Sequence, residues 1–188
     1  MGIALLPYTF VALCNLALIL WLGAEDPFDL QMWARVTAQI AALMLCCLFI
    51  YPVLARFTGS SNRLRYIKRR TLGLAYAMAM LIHACALTIF HIVSNLPVKT
   101  LTLMVGSGAY LILFFMVLTS FPRFRSRMSE RAWRGMHRFG LTTFVMITGL
   151  TSFGGMIERG WFSISSIVLL FLLFGLLARI SLQMRSSP

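Results

Sequence analysis

Six apolar stretches, each close to the length that crosses a bilayer, occupy most of this 188-residue chain: residues 3–23, 32–55, 71–95, 100–121, 136–157 and 161–182. A helix needs about 20 residues to traverse roughly 30 Å of hydrocarbon. With no water there to satisfy backbone N–H and C=O groups, such stretches must be helical. The pattern predicts an all-α integral membrane protein, a six-transmembrane-helix bundle in which residues 1–188 form a single transmembrane domain. Sixty per cent of the residues are apolar and only five are acidic, and no polar stretch is long enough to build a water-soluble domain. That excludes a nucleotide- or flavin-binding module within these residues. The first stretch lacks the basic start and small-residue cleavage site of a removed signal peptide, so it is expected to be a retained span.

The net charge of +12 could point to nucleic acid, but the positions of the charges point to a membrane. Arg56, Arg63, Arg65, Lys68, Arg69 and Arg70 fill one connection. Arg123, Arg125, Arg127, Arg131, Arg134 and Arg138 gather around another, with Arg179 and Arg185 near the end. Of the 17 Lys and Arg, Arg35, Lys99 and Arg159 alone fall on the opposite side, together with Glu25, Asp26, Asp29 and Glu158. The positive-inside rule makes the basic side cytoplasmic and places both termini there. In a bacterial cell this is the inner (cytoplasmic) membrane. Basic loops at that surface also suit anionic lipid head groups, and no nucleic-acid partner is expected.

Within the spans, Pro52 is expected to kink or stop the second helix. Gly106 and Gly108 in the fourth span, and Gly149, Gly154 and Gly155 in the fifth, would permit close approach of a neighbour. Cys14, Cys46, Cys47 and Cys85 all lie in apolar segments without zinc-type spacing and read as small apolar side chains in helix contacts. The chain shows neither an internal repeat nor a low-complexity tract.

Ionisable residues at membrane depth are costly, so the few present are informative. They are His83 and His91 in the third span and His137 at the start of the fifth; no Asp or Glu lies mid-span. Histidine without carboxylate argues against a proton-coupled pump or cation transporter. It points toward metal or haem ligation by neutral imidazole. At 1.5 Å per residue from Thr71, His83 lies about 18 Å deep and His91 about 30 Å, turned about 80° from it. His137 is therefore the one histidine available from a second helix. Ala75, Ala79 and Ala86 share the His83 face, and Gly140 follows His137 by one turn. These small residues suit either a flat macrocycle or plain packing.

Two motifs carry a family resemblance. Arg69-Arg70-Thr71-Leu72-Gly73-Leu74, with His83 on the same helix, resembles the third-helix motif of the ferric reductase-like transmembrane family. Leu118-Thr119-Ser120 followed by Trp133-Arg134-Gly135-Met136-His137-Arg138 resembles its second motif. The likeness covers residues 42–153, and the nearest group in pattern is the haem-binding membrane subunits of periplasmic methionine sulfoxide reductase systems. It implies a b-type haem protein passing electrons from a cytoplasmic or quinone donor to a redox partner protein or larger membrane complex. Such a chain is an electron-transfer subunit rather than a stand-alone enzyme.

The same resemblance implies His83 and His137 as haem-iron ligands, with His91 in reserve. Arg69, Arg70, Arg134 and Arg138 would lie where haem propionates or a flavin phosphate could pair with them; no recognisable flavin motif is present. Family members usually carry a further histidine on the fifth helix, where this chain has Leu150. A two-haem wire is thus not encoded. One haem is the expectation; Met146 and Met156 could supply a thioether ligand, but in a chain with 12 methionines each reads first as core packing. The alternative is a haem-free accessory or assembly subunit that has lost its ligand set.

Overall fold

The structure, a computed structural model, describes Val11, Ala12, Asn15 and residues 27–57, 62–160 and 163–185. These residues are helical, with short connections and no strand among them. The helices are α1 (Pro27–Phe57), α2 (Asn62–Ser94), α3 (Thr100–Leu118), α4 (Pro122–Arg125), α5 (Glu130–Arg159) and α6 (Ile164–Arg185). Four of them are long and apolar enough to cross a membrane, over Phe28–Val53, Arg69–Ser94, Thr100–Leu118 and Glu130–Glu158. They correspond to the second through fifth predicted spans. The apolar part of α6, Ile164–Ala178, is shorter. The predicted first span lies outside the described residues apart from the three named above.

Three expectations are corrected. The connection expected over residues 56–70 is largely helix, because α2 begins at Asn62 and carries its basic run as an extension of the spanning segment. Likewise, the second basic connection folds into the short α4 and the first turns of α5. Nor does Pro52 stop α1, which continues to Phe57. A proline removes one N–H and crowds one carbonyl, and buried Leu48, Phe49, Ile50 and Val53 hold the helix around it.

Local chemistry sets the helix ends. Asn95, at φ 51°, closes α2 in the left-handed region that asparagine tolerates. The Ser129 hydroxyl accepts the Ala132 N–H at 3.2 Å and starts α5. Glu130 in that first turn pairs with Arg134 at 3.0 Å and also with Arg125. Gly160, at φ 86°, ends α5 in a conformation that disfavours any side chain.

α1 packs along α2, and α6 packs against both α1 and α5. The main core joins Leu45 and Phe49 of α1, Tyr76 and Ala79 of α2, Leu113 of α3, Phe144 of α5 and Val168 and Leu172 of α6. Tyr76 and Phe144 meet edge to face, 5.5 Å between ring centres. Between membrane helices such packing, rather than a hydrophobic driving force, supplies cohesion. Of the glycines expected to allow it, Gly106, Gly108, Gly149 and Gly154 have no neighbour within 4 Å of a would-be Cβ among the described residues, whereas Gly155 is buried. The close approaches are at Gly140, where a Cβ would collide with Met116 of α3, and at Gly175, where it would stand 2.8 Å from Phe49.

Candidate functional site

The tight α1–α2 contact positions His83. Buried Ala79 and Ala86 bring the helices together, and Ala86 packs with Leu30, Trp33 and Ala34. The small residues beside His83 therefore serve helix approach. Across that interface, His83 Nδ1 lies 3.1 Å from the Ala34 carbonyl oxygen and 3.1 Å from Thr37 Oγ1. The Thr37 hydroxyl itself donates to the Ala34 carbonyl at 2.8 Å.

These contacts determine the tautomer. A carbonyl oxygen can only accept, so the nitrogen facing it must carry the proton. His83 is thus an Nδ1–H imidazole whose Nε2 keeps its lone pair. Among the described residues none of its hydrogen bonds engages Nε2, and that atom is not among the buried unpartnered ones. An imidazole anchored through one nitrogen and open at the other has the form of a metal ligand with its outer shell in place.

His137 is held differently. Its Nδ1–H donates to the Trp133 carbonyl at 3.1 Å, one turn back on α5. The ring also lies near the Met116 carbonyl on α3, close enough to feel its dipole. Trp133 stacks on it, with ring centres 4.4 Å apart, and donates its own Nε1–H to the Thr119 carbonyl at 3.2 Å. Arg125 lies over the other ring of the pair, 4.6 Å from the Trp133 centroid. Arg69 and Arg125 are both close enough to act electrostatically on His137.

The remaining candidates are dispersed. His91 is partly buried beside Phe90, and its Nδ1 has no partner among the described residues. Arg70 is half-buried with its Nε unpartnered among the described residues, and Arg134 is committed to Glu130. Arg138 is exposed. Met156 is buried, whereas Met146 and Leu150 are 62% and 71% exposed, on the outer side of α5.

The structure does not bring His83 and His137 to one level. Tyr110 of α3 bonds the Met80 carbonyl, just before His83, whereas Trp133, stacked on His137, bonds the Thr119 carbonyl further along α3, about 13 Å away at 1.5 Å per residue. One iron needs its two axial nitrogens at one level on opposite sides. His83 faces α1 while His137 faces α3.

Among the described residues, no three His, Cys, Asp or Glu side chains gather as a cage for a bare metal ion. Isolated imidazoles do fit a haem, whose porphyrin supplies four of the iron's ligands and leaves one or two to the protein. The open Nε2 of His83 meets that requirement. The sequence reading missed Ala34 and Thr37 because a backbone carbonyl and a mid-span threonine carry no motif; only the pairing of α1 with α2 reveals them.

A family model described as the ferric reductase-like transmembrane component matches residues 8–148, from within the first predicted span to the middle of α5. No curated protein and no solved structure matches the chain significantly.

Proposed function

The chain belongs to the ferric reductase-like transmembrane component family, and from that premise we propose that it holds a b-type haem and relays electrons across the membrane. Membership supports a membrane redox role, and the setting of His83 supports the haem. The observation that carries the reading is the His83 imidazole, tied through Nδ1 to Ala34 and Thr37 and open at Nε2. A bound haem would supply reversible one-electron transfer.

His83 is the ligand in this reading. The offset of His137 sets it apart from a haem held by His83, and at its own level it would serve the cytoplasmic end of the site rather than ligate that iron. Arg69 and Arg70 lie at the His137 end of α2, where an anionic substituent of a bound group would meet positive charge. By the positive-inside rule that end, and both termini, would lie on the cytoplasmic side of the inner membrane, in a six-span N-in/C-in topology. Electrons would then run from a cytoplasmic or quinone donor toward a partner protein at the outer face.

The direct test is haem stoichiometry by pyridine haemochrome. His83→Ala is expected to retain under about a tenth of the wild-type haem while the purified bundle keeps its helical signal. Full haem content in that variant would remove the ligand assignment.

One observation favours a second reading. Leu150, at the position where the family usually has another histidine, points outward at 71% exposure and closes no site. A chain without that ligand could serve as a haem-free accessory or assembly subunit. Haem-free protein purified in its native complex would select this alternative.

A further inference from the structure

Thr37 differs from several other described threonines. Thr88, Thr119, Thr142 and Thr151 send their hydroxyls to carbonyls of their own helices, the ordinary way a threonine satisfies itself in a helix. Thr37 does this too, bonding Ala34. Its oxygen additionally lies 3.1 Å from an imidazole nitrogen on another helix, and the residue is 1% exposed.

The three polar atoms allow one proton arrangement. The Ala34 carbonyl also takes the backbone bond of α1, so with the Thr37 hydroxyl donating to it the His83 Nδ1–H is shared between that carbonyl and Thr37 Oγ1. With its proton so directed, Thr37 Oγ1 presents its own lone pairs to the same Nδ1–H. The imidazole is thereby held by two adjacent acceptors, 2.8 Å apart on α1, which restrains rotation of the ring as well as its tautomer. The carbonyl alone would set the tautomer but leave the ring freer to swing.

We propose that Thr37 is a positioning residue for His83, aiming the open Nε2 at a haem iron. This rests on the haem reading. Groups that orient a metal-binding histidine from behind change metal affinity by about 10- to 100-fold when removed, and they raise the ligand's basicity. A more basic axial imidazole favours ferric iron. Losing Thr37 Oγ1 should therefore weaken haem binding and raise the midpoint potential.

The test compares Thr37→Val, which keeps shape and removes the hydroxyl, with Thr37→Ser, which keeps the hydroxyl, in the full chain. Titration of haem into apo-protein should show about a 10-fold weaker Kd for the valine variant, together with a higher midpoint potential. The serine variant should resemble wild type in both. Thermal unfolding of all three apo-proteins should coincide. Equal Kd and potential in the valine variant, or equal losses in valine and serine, would overturn the proposal.

A readout without haem separates the two readings. In ¹⁵N-labelled apo-protein, His83 should be a single Nδ1–H tautomer in wild type and serine variant, with averaged or broadened ring signals in the valine variant. Unchanged ring signals in the valine variant defeat the positioning role even where haem binds. A wild-type chain that binds no haem, yet shows the spectral difference, defeats the haem reading alone.

Discussion

The Nδ1 of His83 on α2 sits 3.1 Å from the carbonyl oxygen of Ala34 on α1. That contact settles which imidazole nitrogen is free, and it makes α1 part of the candidate site although α1 contributes no histidine. The helix pair is rigidified around it by Leu30, Trp33, Ala34 and Ala86. Disturbing the α1–α2 contact should therefore affect bound haem before it affects helix content.

His91 gives a contrasting prediction. Its Nδ1 is buried without a partner among the described residues, and an unsatisfied buried polar atom costs about 1–3 kcal/mol. His91→Phe should leave thermal stability unchanged or raised, and haem content should stay near wild type. Haem loss in this variant would make His91 a ligand.

Packing around Gly140 should be unforgiving. A side chain there meets Met116 Sδ, with Ile112 close behind. Gly140→Val is expected to lower stability by about 1–3 kcal/mol, the usual cost of overpacking. Combining it with Met116→Ala should recover part of that loss. A fully tolerated Gly140→Val would show that α3 and α5 do not meet there.

The α3–α5 connection should respond to lipid charge. Arg123, Arg127 and Arg131 are exposed and make no ion pair among the described residues, in contrast to Arg125 and Arg134. Exposed Phe121 and Phe124 accompany them. Each basic residue at an anionic surface contributes about 1 kcal/mol. Replacing phosphatidylcholine by phosphatidylglycerol in nanodiscs should raise the Tm of wild type, and the Arg123→Gln, Arg127→Gln, Arg131→Gln triple variant should lose most of that increment. An undiminished increment would place the lipid contact elsewhere.

Much of the architecture could be read from the sequence because bilayer physics leaves few options. Apolar length predicted four spans that α1, α2, α3 and α5 occupy within a few residues. Polar connections were harder: Asn62 to Arg70 and Glu130 to Gly135 are helical although nothing apolar marks them, since a spanning helix extends into water wherever its propensity allows. Gly106, Gly108, Gly149 and Gly154 were misassigned for a related reason. Any glycine permits close approach, but only the helix register shows that Gly140 meets Met116 while Gly149 meets nothing. At the site, the histidines were visible as costly residues in an apolar segment. The outward turn of Leu150, the offset between His83 and His137, and the role of Thr37 all depend on which helix faces which.

The central claim is that this family member carries haem. Its most direct test is the dithionite-reduced minus oxidised absorbance spectrum of detergent-purified, full-length protein, quantified as pyridine haemochrome. A b-type difference spectrum at about one haem per chain is the predicted result. A featureless spectrum from protein kept in its native complex would contradict it.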